Sequence, residues 1–362
     1  MKKLFATILA FLLFLAQVPV IAEPSAINCK VAEINTYGHA VLDITDEDFY
    51  KAGFALGDIV TVTAGSYTGD MPCFNGYYVD REATLVYINP FVGSITLGVN
   101  YGSFVNLSGV GKGDAVSITM KEKGGALDIQ EVNNLVYSDE RADFASDEVF
   151  ANFRPVVEGK LYRSVSPVDN RIKRARTADN LIREAGVQTV MNMVNTDEEI
   201  VELMAADDYD SPYYRELYEA GKVIALEMSI DYTVKAFVEG LVEGFTFLSE
   251  GETPFLVHCL EGKDRTGFAI MTLEALMGWS EEQIVADYMK TYSNFYGIEP
   301  GTDRYDLIME KNIEEMLRYM EAMQIDTSAS ETDMKTAAEA FLLENGMAEE
   351  ALKRLEAKLA SE

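Results

Sequence analysis

The sequence predicts a multidomain chain: a small all-β barrel over residues 27–137, then an α/β domain over residues 145–362 with a central sheet flanked by helices. Three observations carry this. Short runs of alternating apolar residues, separated by Gly- and Asn-rich turns, fill the first stretch. Near residue 145 the pattern changes to buried strand-like runs alternating with helical periodicity. Within that second stretch one strand-like run passes through a Gly-containing loop directly into an apolar helix. The 362 residues, 48% of them hydrophobic, suffice for more than one packed core.

Residues 1–22 read as a signal peptide. Lys2 and Lys3 form a basic start, Leu4 to Val18 an apolar stretch, and Val20-Ile21-Ala22 a small-residue cleavage pattern. The mature protein is then expected to be secreted or to face the exterior of the cell envelope. An uncleaved N-terminal anchor is the alternative. No later run is long and apolar enough to span a bilayer, so no stable membrane insertion is expected after cleavage.

In the barrel the expected strands are Lys30 to Asn35, His39 to Ile44, Ile59 to Thr63, Thr84 to Ile88, Ser94 to Val99 and Ala115 to Met120. Two similar turns, Leu56-Gly57-Asp58 and Lys112-Gly113-Asp114, lead into strands. The run Leu97-Gly98-Val99-Asn100-Tyr101-Gly102-Ser103, followed by Gly113-Asp114-x-Val116, is similar to the C-terminal barrel of S-adenosylmethionine hydroxide adenosyltransferases. That resemblance covers only the N-terminal third. The larger α/β domain that supplies that family's catalytic acids is not present here. The resemblance therefore implies a binding, spacer or solubilising role for the barrel, not that activity.

In the second stretch Gly159 to Ser164 reads as the opening strand. Thr177 to Ala185 follows as a helix with Thr177 as a candidate N-cap, ended by Gly186. Val187 to Val194 reads as a buried strand, followed by a loop at Asn195 to Glu199. Val223 to Met228 is another strand, ending at Ser229-Ile230-Asp231-Tyr232, and Phe237 to Leu248 has helical spacing. Thr253 to Val257 is the strand before the loop, and Phe268 to Met277 the helix after it. A helix from Ser280, its cap, to Tyr292 comes next. Ala337 to Glu344 and Ala348 to Leu359 close the chain as two helices broken at Asn345-Gly346.

The loop itself reads His258-Cys259-Leu260-Glu261-Gly262-Lys263-Asp264-Arg265-Thr266-Gly267. At the start of a helix the first backbone N–H groups have no internal partner and carry about half a unit of positive charge. Such a junction suits an anion, and a cysteine there is expected to be a reactive thiolate near neutral pH.

This loop resembles the signature of the protein-tyrosine phosphatase superfamily, and its Lys-Asp pair resembles a bacterial branch with the pattern H-C-x-x-G-K-D-R-T-G. That branch acts on phosphotyrosine, phosphoserine/threonine or phosphoinositides. The resemblance spans roughly residues 150 to 360 and includes Asn152-Phe153-Arg154-Pro155 and Leu161-Tyr162-Arg163-Ser164. It implies an α/β cysteine-phosphatase domain in which Cys259 attacks phosphorus and forms a phosphocysteine. Arg265 and the loop from Leu260 through Glu261, Gly262 and Lys263 to Thr266 and Gly267 would hold the phosphate oxygens; an Arg fork matches them in pairs. Thr266 would donate to the Cys259 sulfur. Gly262 and Gly267 would allow backbone approach that a side chain blocks. His258 would order the loop. Asp264 and Asp231 are the two candidate general acids; otherwise Asp231 caps the next helix and Asp264 stabilises the loop. Arg163 would reach the phosphate or form a structural ion pair. Tyr288, Tyr292, Phe295 and Tyr296 would line a pocket for an aromatic phosphoester or pack in the core. Two departures stand out. Glu261 replaces a small residue, and Asn192-Met193-Val194 stands where related phosphatases carry Asp-Leu-Arg.

Composition narrows the partners. With 30 basic and 60 acidic residues the net charge is −30, which disfavours nucleic acid and anionic membranes. No Cys/His cluster has zinc spacing, and neither metal nor cofactor is expected. Of the three cysteines, Cys29 and Cys73 are the pair to bridge if any bridge forms, leaving Cys259 free; three free thiols is the other reading. The expected substrate is a phosphorylated protein, a phosphoinositide or an inositol phosphate. The alternatives are a phytase-like inositol phosphate phosphatase and a catalytically silent phosphate-binding module.

Overall fold

The computed structural model describes residues 26–322 and 333–360; the predicted signal peptide lies outside them. The chain forms two compact units, one ending at Asn134 and the other beginning at Leu135.

The first unit is a closed barrel of β1 (Ile27–Ile34), β2 (Ala40–Thr45), β3 (Ile59–Ala64), β4 (Tyr67–Phe74), β5 (Thr84–Asn89), β6 (Ser94–Val99) and β7 (Ala115–Glu122). Round the barrel the order is β1-β2-β6-β5-β4-β3-β7, and β7 pairs back onto β1. Alternate residues point inward: Val60 and Val62 of β3, Leu97 of β6, Val116 and Ile118 of β7. Closure leaves no edge strand exposed. The two Gly-Asp turns work alike. Gly57 and Gly113 adopt φ of +82° and +93°. The Asp58 and Asp114 carboxylates then accept from the backbone N–H groups of Ala55 and Gly111, at 2.6 and 2.8 Å. Short helices α1 (Asp46–Lys51), α2 (Phe104–Ser108) and α3 (Leu127–Asn133) fill the connections.

Cys29 and Cys73 are buried and free. The strand order explains why they do not bridge: β1 and β4 are not neighbours in the barrel. Burial pushes the Cys29 thiol up to about 12 and the Cys73 thiol higher still, so both behave as small apolar groups.

The second unit is built on a five-stranded sheet of order β11-β10-β12-β9-β8. It comprises β8 (Arg154–Val157), β9 (Leu161–Ser164), β10 (Thr189–Asn192), β11 (Val223–Ala225) and β12 (Phe255–His258). All neighbours are parallel except the β8–β9 pair. Helix α4 (Asp147–Phe150) precedes the sheet. On one face α5 (Ala175–Glu184), α6 (Asp197–Ala205) and α7 (Pro212–Glu219) bury Leu181, Ile200 and Tyr214 in a core shared with Val190 and Leu256. Helix α8 (Lys235–Glu250) packs on α14 (Glu349–Leu359), and α9 (Asp264–Leu276) on α13 (Met334–Glu344). There Phe237, Phe268 and Phe341 meet ring to ring. Helices α10 (Glu281–Tyr296), α11 (Asp303–Ile308) and α12 (Glu314–Ala322) complete the unit.

Two local expectations change and one holds. Thr177 lies inside α5, whose N-cap is Arg174. The segment after Asn195 is helix α6 rather than loop; Thr196 and Glu199 form a reciprocal capping box that starts it. Ser280 does cap α10, in a box with Gln283.

Candidate active site

Strand β12 lies in the middle of the sheet, and the chain leaves its carboxyl end at Cys259. The ends of β9 and β10 lie alongside, in register at Ser164 and Asn192 with His258. This edge is where parallel α/β sheets gather their ligands. Helix α9 begins at Asp264, so the five residues from Cys259 to Lys263 form a strand-to-helix loop.

Four consecutive carbonyls of that loop are held by protein donors. Cys259 O accepts from His258 Nδ1 at 3.1 Å, and Leu260 O from Ser166 N–H at 2.9 Å. Glu261 O accepts a long bond of 3.4 Å from Asn152 Nδ2. Gly262 O accepts from Arg163 Nη2 at 2.8 Å and from Asn152 Nδ2 at 3.1 Å. In a trans peptide the N–H points opposite to the C=O. The N–H groups of Leu260, Glu261, Gly262 and Lys263 are thereby turned away from those donors, as in an anion-binding nest. Gly262 makes the turn possible. Its φ is +65°, and a Cβ there would lie 2.3 Å from the Ser164 carbonyl oxygen.

Cys259 is buried, 4% exposed, and free. Arg265 follows on the first turn of α9, and its Nη1 donates to Met193 O and Met228 O, both at 3.0 Å. These carbonyls follow β10 and β11, so the strand ends orient the guanidinium. The other N–H groups of the fork are not used by these two bonds. The Thr266 hydroxyl does not reach the Cys259 sulfur as expected; its buried oxygen has no hydrogen-bond partner. A Cβ on Gly267 would strike the Tyr288 ring at 2.5 Å, so this glycine serves helix packing.

His258 is fully buried and stacks edge-on against Tyr214. Since Cys259 O can only accept, Nδ1 carries the proton, and buried Nε2 is left without a partner. Burial lowers its pKa to about 4. It is a neutral loop-ordering group, as the sequence suggested.

The loop's mouth is charged but balanced. Lys263 Nζ lies 3.1 Å from Glu261 and 3.8 Å from Asp264, with the Tyr292 and Tyr296 rings beside it. Burial opposes the ammonium, yet Asp264 and Glu261 hold its pKa well above the ordinary value. The Tyr137 hydroxyl donates to the other Glu261 oxygen at 2.8 Å. Asp264 titrates above its usual range because protein displaces its water; Lys263 and Arg265 pull the other way. Asp231 sits in the loop after β11. Its carboxylate accepts from Thr233 N–H at 2.9 Å and from the Thr233 hydroxyl at 2.6 Å. It organises that turn rather than capping α8, whose N-cap is Val234.

Behind the loop lies a buried ionic cluster. Asp287 of α10 binds Arg154 at 2.7 Å and Arg163 at 2.6 Å. Against the pull of burial, these two cations hold the Asp287 carboxyl well below the usual range. Arg163 is thus both an ion-pair partner and a donor to the loop. Asn152 links the parts: Arg154 Nη1 donates to its Oδ1 at 2.7 Å while its Nδ2 serves Gly262. Burial and the nearby Asp287 charge push Glu274 well above the usual range. Tyr288, Tyr292 and Phe295 are buried in the helical core. Sequence reasoning missed Asp287, Glu274 and Tyr137. A buried-side Asp on the Tyr288 face of α10 was the available signal for the first. Among the described residues no group of His, Cys, Asp and Glu side chains is arranged to hold a metal ion, and no helix is long and apolar enough to cross a membrane.

Comparison with known proteins gives the following. The core catalytic domain of the PP-IP phosphatase SIW14 from S. cerevisiae is 20% identical, with 46% of this chain and 90% of that chain covered, at a TM-score of 0.28. TpbA of P. aeruginosa is 18% identical, with 46% and 88% covered, at a TM-score of 0.28. A Cupriavidus necator protein provisionally named a tyrosine-protein phosphatase is 42% identical over 48 residues; the match spans 13% of this chain and 18% of that relative's length. The sequence profile of the tyrosine phosphatase family matches residues 149–361, well over half of the chain. This chain therefore belongs to the tyrosine phosphatase family.

Proposed function

We propose that the second unit is a cysteine-dependent phosphatase that hydrolyses phosphomonoesters, phosphotyrosine in a protein first among them. The observation that carries this is the run of four tethered carbonyls, which turns four N–H groups away from the tethering donors in the loop between Cys259 and Arg265. A phosphate dianion seated on those donors and on the Arg265 fork would meet the cysteine sulfur. The Sγ thiolate attacks phosphorus and the P–O ester bond breaks. The ester oxygen leaves with the electron pair and takes a proton, for which Asp264 is the favoured donor. Its raised carboxyl keeps a proton nearer neutral pH, whereas Asp231 is engaged by Thr233. Water then attacks the phosphocysteine and returns its proton to Asp264. The S–P bond breaks, and thiolate and phosphate are released.

The balanced mouth supports a singly phosphorylated substrate. With Glu261 and Asp264 against Lys263, no net cation remains for further phosphates on an inositol ring. Phosphoserine and phosphothreonine fit the same charge. We further read the protein as exported, on the strength of Lys2, Lys3 and the apolar run to Val18.

Phosphate release from a phosphotyrosine peptide, a phosphoinositide and phytate, compared with Cys259→Ser, tests the reading. It predicts release from the peptide that vanishes in the variant. Preferred hydrolysis of phytate would favour the phytase-like alternative. No release from any substrate by folded, reduced protein would favour a silent binding module.

A further inference from the structure

The barrel carries a cleft that the phosphatase chemistry does not use. Its volume is about 660 Å3, and Tyr37, His39, Tyr77, Asn100, Tyr101 and Asn106 are among the residues that line it. Three rings form one wall. Tyr37 and His39 lie 6.3 Å apart at 30°, and His39 and Tyr77 lie 5.8 Å apart at 37°. Successive tilts make that wall curved rather than flat. The Arg81 guanidinium sits 4.2 Å over the Tyr101 ring. Tyr37 is 76% exposed and Tyr101 61%, so both rings present wide apolar faces to solvent.

A second observation points to a ligand. His39 is 5% exposed, and its Nδ1 has no hydrogen-bond partner. A buried polar nitrogen left unpaired bears its full desolvation cost, and a ligand hydroxyl in the cleft would remove it. Burial holds the His39 imidazole neutral. The lining contains no Asp, Glu, Lys or Arg. A cationic ligand would therefore enter without a counter-ion, which is unfavourable, and the nearby Arg81 guanidinium is already engaged on the Tyr101 ring. The cleft offers aromatic faces together with amides and hydroxyls that both donate and accept. Sugar rings have the matching chemistry: C–H faces for the tyrosines, and hydroxyls for Asn100, Asn106 and His39. A flat heterocycle would stack on one ring; a saccharide chain follows a curved wall across several.

We propose that the barrel is a binding module for a neutral saccharide, seated on the Tyr37–His39–Tyr77 wall with one hydroxyl on His39 Nδ1. The test is calorimetric titration of the full chain with chito-, cello- and malto-oligosaccharides, and with adenosine as a neutral flat ring. At least one saccharide is expected to saturate the protein. Tyr37→Ala and Tyr77→Ala should each weaken it by about tenfold or more while keeping the wild-type melting temperature. Tyr37 is exposed, so its variant keeps the test valid should Tyr77→Ala fail to fold. The proposal is overturned if no saccharide binds at about 10 mM, if binding ignores the wall variants, or if adenosine alone takes the site.

Discussion

Asp287 and Arg163 meet at 2.6 Å, and the same guanidinium donates to the Gly262 carbonyl at 2.8 Å. A helix carboxylate thus fixes a strand arginine, and that arginine fixes the turn of the signature loop. Asp287→Asn would leave Arg154 and Arg163 buried without their counter-charge. The expected loss is about 3–5 kcal/mol of stability, with a fall in phosphate release as Gly262 loses its anchor. Denaturant melts check this; a loss under about 1 kcal/mol would contradict it.

Gly262→Ala should fold but work poorly. The new methyl meets the Ser164 carbonyl oxygen at 2.3 Å, at a φ of +65°. The loop must shift, and a misplacement of about 1 Å can cost on the order of 100-fold in rate. Steady-state kinetics on a phosphotyrosine peptide, beside a circular dichroism spectrum, would show it. Near wild-type kcat/KM would count against the tethered-loop account.

Glu261→Gln should change substrate preference more than overall rate. Freed of its partner at 3.1 Å, Lys263 gains attraction for additional phosphates. The ratio of kcat/KM for phytate to that for a phosphotyrosine peptide should rise by about tenfold. Tyr137→Phe, which removes the other contact to Glu261, should move the ratio less. A ratio unmoved by Glu261→Gln would mean that the Glu261–Lys263 pair does not set specificity.

His258 makes the fold acid-sensitive. Its pKa is lowered to about 4 by burial, whereas an unfolded histidine titrates near ~6.5. As pH falls below roughly 6.5 the unfolded chain binds a proton that the folded chain refuses. The stability is therefore fully present above that value and declines toward pH 4, by on the order of 3 kcal/mol in all. His258→Gln removes this contribution. Urea melts at about pH 7 and about pH 4.5 should show the larger drop in the wild type; equal drops would refute the assignment.

Glu274 acts in the opposite sense. Burial and Asp287 raise its pKa well above the usual value, so the unfolded chain releases a proton that the folded chain keeps. That cost grows as pH rises from about 4.5. Glu274→Gln carries no titrating proton, so its stability relative to wild type should improve with increasing pH. A relative stability of Glu274→Gln that stays flat or falls as pH rises would show that Glu274 is ionised in the fold.

The loop was legible in the sequence because its chemistry is contiguous: Cys259, Gly262 and Arg265 stand within one turn. The barrel was legible where residues alternate, as in Ser94–Val99. Strand β4 was not, because Gly69, Asp70 and Pro72 break the pattern, although Met71 and Cys73 still point into the core. Helix α6 passed for a loop because acidic residues crowd its first turn; the Thr196–Glu199 box was the overlooked cue. For Asp287 the helix face was readable but the partners were not. Its partners Arg154 and Arg163 lie 133 and 124 positions away, and only packing of α10 behind β9 brings the charges together.

The most direct test of the central claim is to trap the covalent intermediate. Protein mixed with excess phosphotyrosine peptide, quenched in acid within the first turnover and measured by intact-protein mass spectrometry, should gain one phosphoryl group, located on Cys259. The adduct should be absent from Cys259→Ser. Rapid phosphate release with no adduct on Cys259, or release that survives in Cys259→Ser, would contradict the cysteine mechanism.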